Sequence, residues 1–393
     1  MAPAQPIYLD NNSTTPLDPR VLAEMIPVFE KHYGNPSSTT HAFGWYAEEL
    51  VNIARERVTA LLGCATNEVI FTGGGTESNN LVLFGAVRAL QKKGVAEIHV
   101  VTAATEHRAV LDPLRELESQ GVQLTVLPVD RCGRVTAEQL VAALRPSTAL
   151  VSLMLANNEI GTIHPIRELA AAVRARGVLF HCDAVQAIGK LPVKAAELGA
   201  DFLTLAGHKF YGPKGVGAVY AGSARGPSAL APWAHGGGHE GGLRSGTLNV
   251  PAIVGMGRAA ELAESEHIKD SRRLEKLSAR LLVRLREAAP GLVLNGPEER
   301  LPGNLNVSFP GLDSALLVGR IQTRVALSVG SACQSALKTP SHVLRALGLP
   351  GEVEKSAVRL GVGRFTTEEE VELAADALIS VITEMQRTSA HLK

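Results

Sequence analysis

Short apolar runs recur through the first two thirds of the chain, separated by segments whose apolar residues have helical spacing. The runs predict strands at Val69–Thr72, Ile98–Thr102, Leu124–Val129, Ala149–Leu155, Val178–Cys182, Phe202–Leu205 and Val216–Tyr220. The segments between them predict helices at Asn79–Lys93, Ala109–Gln120, Ala137–Leu144 and Ile166–Arg176. Continuous apolar strands that alternate with helices are typical of a mainly parallel sheet covered on both faces. The pattern therefore predicts an α/β fold.

From Glu264 the pattern changes, because leucines at helical spacing now lie among charges of both signs. They predict a long amphipathic helix that ends before Pro290. Further elements follow at Asn304–Phe309 (strand), Asp313–Ile321 (helix), Val329–Cys333 (glycine-rich turn) and Thr367–Gln386 (helix). We predict a large α/β domain over residues 15–262. A smaller α+β domain would comprise residues 1–14 and 263–393.

Composition narrows the class of protein. The 393 residues include 39 basic and 39 acidic side chains, so the net charge of zero gives no electrostatic reason to expect nucleic acid or a membrane as partner. No apolar run approaches the ~18 residues that span a bilayer, and the N-terminus lacks the pattern of a secretory signal. The four cysteines are widely separated, which favours reduced thiols in the cytoplasm over disulfides or a zinc site. We expect a cytoplasmic protein without a metal.

Lys209 is the first candidate for chemistry, because it follows an apolar strand and lies in a glycine-rich turn beside His208 and Lys214. Partial burial and neighbouring cations would depress the pKa of its amine, which could then form an imine with an aldehyde. A lone lysine in such a turn is more often simply solvated. The choice between the two interpretations depends on the residues around it.

Two neighbouring motifs suit a phosphorylated pyridine aldehyde. Asp183 ends an apolar strand, where a carboxylate could keep a pyridinium nitrogen protonated or could cap the next helix. Residues 71–80 form a glycine-rich turn between a strand and a helix, where backbone N–H groups near Gly75 and the Thr76 hydroxyl could hold a phosphate. The turn matches no nucleotide-binding motif, and a tight strand–helix connection is its alternative.

Other polar residues also follow strand ends. His107 could stack on a planar cofactor and move protons, or be a buried histidine bonded to backbone. Asn158 lies in a run of amides that could also be a turn, and Gln186 is one helical turn beyond Asp183. Parallel strands bring such ends to one edge of a sheet, where α/β proteins bind ligands.

A nucleophile and an anion-binding residue lie in the last quarter of the chain. Cys333 is flanked by small residues, which leave a thiol accessible to a substrate and then to a partner; an inert loop cysteine is the alternative. Arg359 interrupts an apolar strand-like stretch and needs an anion, either a substrate carboxylate or an internal glutamate. Cys64, Cys132 and Cys182 have the settings of structural cysteines.

Together these residues resemble the pyridoxal-phosphate cysteine desulfurases of the class V aminotransferase group, and they are close also to selenocysteine lyases. The similarity runs nearly from end to end. It rests on the motifs YLDNNSTTP (8–16), YGNPSS (33–38), TESNN (76–80), NNE (157–159), GHKFYGP (207–213), RSGT (244–247) and GSAC (330–333). The resemblance implies the type I fold of pyridoxal-phosphate-dependent transferases, with a seven-stranded, mainly parallel sheet in the large domain.

The resemblance also implies the residues of the site. Those expected to bind pyridoxal phosphate are Gly75, Thr76, His107, Asn158, Asp183, Gln186, His208, Lys209 and Thr247. Within this set, Lys209 would hold the cofactor covalently, Asp183 would pair with the ring nitrogen and His107 would stack on the ring. Gln186 would bond the phenolic oxygen.

The phosphate and the substrate complete the expected site. Thr76 and His208 would bind the phosphate with Thr247 of a second subunit, which implies a homodimer. The substrate L-cysteine would be held through its carboxylate by Asn35, Asn158 and Arg359.

By the same resemblance, Lys209, Cys333 and His107 are the catalytic residues. Cys333 would take the substrate's sulfur as a persulfide, release alanine, and pass the sulfur to an iron–sulfur scaffold or a tRNA-thiolation protein.

Two positions depart from the family's pattern. Ala206 stands where many desulfurases have a serine that contacts the phosphate. Gly241 and Gly242 stand where an arginine and a glycine are common. Selenocysteine lyase remains the alternative activity. A more distant alternative is an aminotransferase or a kynureninase-like hydrolase, but neither would need an accessible cysteine. A docking protein without a cofactor is the non-enzymatic alternative, and the combination of Lys209, Asp183 and His107 argues against it.

Overall fold

A computed structural model of the protein describes residues 5–222, 225–329 and 341–391. Its strands are β1 (Ile7–Tyr8), β2 (Val69–Thr72), β3 (His99–Ala103), β4 (Gln123–Leu127), β5 (Thr148–Met154), β6 (Leu179–Asp183), β7 (Phe202–Ala206), β8 (Gly217–Ala221), β9 (Val293–Leu294), β10 (Asn304–Ser308), β11 (Val325–Ala326) and β12 (Ala357–Gly361). Its helices are α1 (Pro19–Glu30), α2 (Ala42–Leu62), α3 (Gly75–Lys92), α4 (Arg108–Ser119), α5 (Ala137–Ala143), α6 (Ile166–Arg174), α7 (Ala195–Leu198), α8 (Val250–Ala288), α9 (Ser314–Ile321), α10 (His342–Ala346), α11 (Gly351–Lys355) and α12 (Glu368–His391).

A seven-stranded sheet dominates the fold, in the order β2-β8-β7-β6-β5-β3-β4. β8 runs antiparallel to β2 and β7, whereas the remaining neighbours are parallel. The predicted α/β architecture with a mainly parallel sheet is therefore confirmed. β6 lies at the centre of the order, and Asp183 at its end pairs in register with Met154 of β5 and Thr204 of β7.

The predicted strands of this sheet match the observed ones to within two residues at either end. Helix α3 differs more, since it begins at Gly75 and not at the predicted Asn79. Its first turn consists of small or polar residues, which carry no apolar period. Gly74 precedes it with φ of 145°, a conformation open only to glycine, and offers no side-chain cap.

The 39-residue helix α8 joins two hydrophobic cores. Its first half, including Ile253 and Met256, packs in the core beneath the large sheet, and its second half, including Leu274 and Leu281, packs in a separate core. The helix begins well before the predicted change of pattern, because residues 250–263 are mostly buried and include only two charged side chains, Arg258 and Glu261. Gly257 allows a close approach to α2, since a Cβ there would lie 2.6 Å from the Ala54 Cα.

The second core is covered by the antiparallel sheet β12-β10-β9 and by α8, α9 and α12. The short parallel pair β1–β11 adds the N-terminal strand to this region. The arrangement supports a smaller α+β unit, although the proposed boundary at residue 262 falls inside α8 and remains a prediction. None of the helices in the described ranges is both long and apolar enough to cross a bilayer.

An ion cluster at the start of α1 ties the two cores together. Asp18 is buried and caps α1, while its carboxylate accepts hydrogen bonds from Arg20 at 2.8 Å and from Arg364 at 3.0 Å. Arg364 also bonds Asp270 of α8 at 2.7 Å. Burial alone would raise the pKa of Asp18, but the bonds from Arg20 and Arg364 outweigh it and lower this pKa to about 2.

We predict that Asp18→Asn destabilises the protein by about 1 to 2 kcal/mol at pH 7, since asparagine keeps the cap but loses the charge. A carboxyl with a depressed pKa stabilises the fold above its unfolded value near 4, and this contribution disappears as the pH falls towards 2. The difference between wild type and variant in urea unfolding should therefore narrow below pH 4. Asp112→Asn, in an exposed pair with Arg108, is the matched control and should change stability by less than about 0.5 kcal/mol. A difference that stays constant down to pH 2 would contradict the assignment.

Candidate active site

Polar side chains gather at the carboxyl edge of the large sheet, where the central parallel strands end. Asp183 is the last residue of β6, and Asn158 follows β5 after a short connection. His107 precedes α4 just after β3, and Lys209 ends the helical turn after β7. Consecutive strands therefore deliver four of the predicted site residues to one edge, as expected for a ligand site in an α/β protein.

The Asp183 carboxylate is buried and held from two sides. Its Oδ2 accepts a hydrogen bond from Asn79 Nδ2 at 2.8 Å, and its Oδ1 accepts one from the Val185 amide at 3.0 Å. Thr204 Oγ1 donates to Asn79 Oδ1 at 2.7 Å, which fixes the amide with its NH₂ group towards Asp183. The alternative interpretation, in which Asp183 caps a helix, is wrong: residues 185–190 form a turn and not a helix, and the bond from Val185 is a turn contact. Asn79 was not predicted, although its place in the glycine-rich motif was a usable signal.

The Lys209 side chain points at residues 10–15, called here the N-terminal segment. Its Nζ donates to the carbonyl oxygens of Asn12 at 2.8 Å and Ser13 at 2.7 Å. The segment is held in turn, because Thr15 bonds the carbonyl of His208 through both its amide and its hydroxyl. The motif YLDNNSTTP (8–16) is evident in the sequence, but the pattern of apolar and polar residues does not show that this segment lies next to Lys209.

Asn12 links the lysine to other predicted residues. Its carbonyl also accepts from Gln186 Nε2 at 2.8 Å, and its Nδ2 donates to the Asn158 carbonyl at 3.2 Å. Asn12 Oδ1 and Gln186 Oε1 are buried, and within the described part of the chain neither has a hydrogen-bond partner. Unsatisfied buried acceptors are costly, so a polar ligand that donates to them would stabilise the site.

His107 is held as a neutral ring. Its Nδ1 accepts a hydrogen bond from the Ala109 amide at 3.0 Å, which places the proton of the neutral form on Nε2. Burial lowers the pKa of His107; Asp183 opposes this shift, whereas Lys209 and His342 add to it. A neutral imidazole beside Asp183 and Lys209 suits both stacking on a ring and proton transfer.

The glycine-rich turn forms one wall of an open cavity of about 810 Å³, whose lining includes Gly74, Thr76, His208 and Lys214. His208 Nδ1 lies 3.1 Å from Thr14 Oγ1. Burial, with help from Lys209 and Lys214, lowers the pKa of His208 to about 4. The cavity thus offers hydroxyls, backbone N–H groups and a neutral imidazole at the start of α3, as a phosphate site requires.

Arg359 is fully buried in β12. Its guanidinium donates to Asp10 Oδ1 at 2.7 Å and to the Asn158 carbonyl at 3.2 Å, while Nε has no partner among the described residues. An internal ion pair therefore exists, as in the alternative interpretation, but its carboxylate belongs to Asp10, which follows β1, and not to a glutamate. The predicted contact with a substrate carboxylate remains a prediction.

Two predicted residues lie elsewhere, and a third lies outside the described residues. Asn35 and Thr247 are exposed, and among the described hydrogen bonds neither side chain joins the cluster around Lys209; Asn35 Oδ1 instead accepts from the Ser37 amide at 2.9 Å. Cys333 lies outside the described residues. Of the described cysteines, Cys182 is buried in β6, and burial raises the pKa of its thiol. The pKa of Cys64 is raised to about 12, mainly by burial and to a smaller extent by the nearby negative charge of Glu68.

These groups fit pyridoxal phosphate. Lys209 offers an amine for the aldehyde, Asp183 a buried carboxylate for the ring nitrogen, and His107 a neutral ring. Gln186 has a free acceptor, and the cavity at Thr76 and His208 can take a phosphate. The carboxylate and the amine lie at the same edge of the sheet, at the end of β6 and in the turn after the neighbouring strand β7.

The sequence profile described as "Aminotransferase class-V" matches residues 7–373. The chain belongs to the class V aminotransferase family. Family membership confirms the predicted resemblance, the fold class and the use of pyridoxal phosphate.

Two kinds of relative agree with this membership. The chain is 50% identical over 371 residues to "Cysteine desulfurase IscS" of Anaeromyxobacter dehalogenans (strain 2CP-C), covering 94% of this chain and 90% of the relative. Among solved structures, one titled "NIFS-LIKE PROTEIN" superposes with a TM-score of 0.89 at 36% identity, covering 97% of this chain and 100% of that one. Another, "SspA in complex with cysteine", gives a TM-score of 0.81 at 33% identity, covering 93% and 100%.

We predict that Thr204→Val weakens cofactor binding about tenfold, because Asn79 loses the bond that orients its amide towards Asp183. The measurement is the dissociation constant of pyridoxal phosphate, followed by its absorbance in titrations of the apoprotein. Thr102→Val is the matched control: it also removes a buried hydroxyl of the sheet, but one that bonds the Ser152 carbonyl. Equal losses of affinity in the two variants would show that the effect is only structural.

Proposed function

We propose that the protein is a pyridoxal-phosphate-dependent cysteine desulfurase that transfers sulfur from L-cysteine to Cys333 and releases L-alanine. The single observation that carries this proposal is that Lys209 and the hydrogen-bonded pair Asp183–Asn79 lie at the same edge of the sheet, after the ends of the neighbouring strands β7 and β6. The names of the relatives, "Cysteine desulfurase IscS" and "SspA in complex with cysteine", support the same substrate.

The cofactor residues act by charge and position. When bound, pyridoxal phosphate stabilises negative charge at the substrate Cα through its protonated ring. Asp183 holds that proton at the ring nitrogen, and Asn79 with Val185 keeps the carboxylate oriented. With its amine free, Lys209 would take the proton from the substrate Cα.

The substrate carboxylate is assigned to Arg359, Asn158 and Asn35. Support comes from the buried guanidinium, whose Nε lacks a partner in the described part and whose Nη1 already bonds Asn158. Asn35 would have to approach from its exposed position. His107, neutral and with its proton on Nε2, can give or take a proton at the sulfur atoms.

Cys333 receives the sulfur in this proposal. Its thiolate attacks the sulfur of the substrate, an S–S bond forms, and the C–S bond breaks with its electron pair remaining on the substrate carbon. Uptake of protons by that carbon skeleton gives alanine, so one L-cysteine and one thiol yield one alanine and one persulfide. Cys64 and Cys182 are unsuited to this role, because burial raises the pKa of both thiols.

A homodimer completes the proposal. An exposed aromatic surface, formed by Tyr33, Phe43, Trp45 and Tyr46, lies at the end of α1 and the start of α2; each of these side chains is at least 51% exposed. Large exposed apolar patches of this kind mark interaction surfaces. Association through it would bring a second copy's Thr247 to the phosphate site.

The remaining parts of the proposal concern the cellular setting. The sulfur would pass from Cys333 to an acceptor protein such as an iron–sulfur scaffold or a tRNA-thiolation protein. A cytoplasmic location is supported by Cys64, Cys132 and Cys182, which are free thiols as in a reducing compartment.

The activity test supplies L-cysteine and measures alanine, sulfide and protein-bound persulfide. We predict that Cys333→Ser lowers alanine formation by more than about 100-fold while the yellow chromophore remains, because the nucleophile is lost but Lys209 is not. Cys132→Ser is the matched control and should retain full activity. Full activity in Cys333→Ser would refute the sulfur-transfer role.

The wild-type ratio of kcat/KM for L-cysteine and L-selenocysteine decides between desulfurase and selenocysteine lyase. A ratio strongly in favour of selenocysteine would replace the proposed activity with the alternative one. Cys333→Ser alone cannot decide, because a selenol can leave without a thiol nucleophile.

We predict that Phe43→Glu converts the dimer to a monomer, since it buries a charge in an apolar interface. Light scattering gives the mass, and cofactor titration should show weaker binding in the monomer because Thr247 of the second copy is lost. Leu316→Glu, 59% exposed on α9, is the matched control and should leave the mass unchanged. A wild-type protein that is monomeric at micromolar concentration would contradict the dimer.

A further inference from the structure

The cavity at the start of α3 has walls from three parts of the chain. The turn Gly73–Gly75 and Thr76 form one wall, Ser13 and Thr14 a second, and His208 with Lys214 a third. Lys214 follows the lysine-bearing turn and precedes β8, so the same connection carries Lys209 and Lys214. The strand pairing of β7 with β8 fixes both ends of that connection.

Few side chains of the cavity lining carry a charge that is free to act on a ligand. His208 is neutral at pH 7, since burial and two neighbouring lysines lower its pKa to about 4. Glu77 is occupied, because Arg244 Nε donates to it at 2.7 Å and the Gly73 amide at 3.0 Å. Among the described lining residues, Lys214 is therefore the side chain that offers the cavity a net positive charge.

A phosphate in this cavity needs such a charge. A phosphate ester carries nearly two negative charges at pH 7, whereas the start of α3 contributes only about half a positive charge. Ala206 adds no hydroxyl, although its side chain faces the helix start: a Cβ on Gly75 would lie 3.4 Å from the Ala206 Cβ. Thr76 and the neutral His208 can donate hydrogen bonds but cannot neutralise the anion.

We propose that Lys214 is a further cofactor-positioning residue, whose ammonium neutralises the phosphate of pyridoxal phosphate in a site that Ala206 leaves one hydroxyl short. The inference rests on the proposed function, because it assumes that the cofactor is bound through Lys209. Lys214 acts on the phosphate alone and has no role at the substrate Cα or sulfur.

The test compares pyridoxal phosphate with pyridoxal, which has the same aldehyde and ring but no phosphate. Dissociation constants of both are measured by absorbance titration of the full-length apoprotein, prepared by removing the cofactor from the holoenzyme. Lys214→Met should weaken binding of pyridoxal phosphate about 10- to 100-fold and change that of pyridoxal less than about twofold. Lys214→Arg should restore most of the lost affinity, since it restores the charge.

A second measurement does not depend on the cofactor. Removing the Lys214 charge should raise the pKa of His208, which NMR titration of the apoprotein can follow. Lys93→Met, an exposed substitution just beyond the opposite end of α3, is the matched control and should change neither quantity.

The outcomes separate this inference from the proposed function. If the wild type binds pyridoxal phosphate and Lys214→Met loses affinity for both ligands equally, or for neither, then Lys214 is not the phosphate's cation. If the wild type forms no borohydride-reducible adduct at Lys209, the proposed function fails first and Lys214 has no phosphate to bind. If Lys214→Met keeps the wild-type ratio of the affinities for pyridoxal phosphate and pyridoxal, the inference about Lys214 is wrong, whereas the proposed function is unaffected.

Discussion

The site depends on one buried carboxylate that the sheet places and its neighbours orient. Asp183 is the last residue of the central strand β6, with its two oxygens bonded by Asn79 and the Val185 amide. A buried anion is tolerable only when it is paired and hydrogen-bonded. The shell around Asp183 makes that possible in the protein alone, and Thr204 on the next strand extends the shell by fixing Asn79. A ligand with a protonated ring nitrogen would bind more tightly to a carboxylate whose position has already been fixed by folding, because no further ordering is needed on binding.

The N-terminal segment closes the site from the other side. Its backbone accepts from Lys209 and Gln186, and its Asp10 pairs with Arg359 of the small sheet. A short stretch outside the large sheet thus contacts both Lys209, the predicted covalent anchor, and the predicted substrate arginine. This gives a physical reason for the parallel pair β1–β11 and the ion cluster at Asp18: both hold that stretch against the two cores.

Sequence reasoning could place the strands and their polar ends, because apolar runs and glycine-rich turns are local signals. It also placed Lys209, Asp183 and His107 at one edge, since parallel strands share an edge. It could not predict Asn79 as the partner of Asp183, because the two are brought together by the sheet order and not by spacing. Nor could it predict that Asp10 pairs with Arg359, since the two residues come from opposite ends of the chain and meet only where the segment after β1 lies beside β12. The predicted start of α8 is wrong because residues 250–263 are mostly buried and show little amphipathic period.

The chain on either side of residues 330–340 is fastened to the same part of the site. On one side, Ser328 exchanges backbone hydrogen bonds with Arg359, which itself donates to the Asn158 carbonyl. On the other side, Ser341 Oγ donates to the buried Glu159 carboxylate at 2.5 Å, and the next residue's imidazole bonds the Glu106 carbonyl. These contacts lie next to Asn158, after β5, and His107, after β3. A shift of the end of β5 or β3 would therefore also move the residues that flank the segment with the predicted nucleophile. The large sheet therefore positions the predicted cofactor residues directly, and through Asn158 and Glu159 it holds the described residues on either side of residues 330–340.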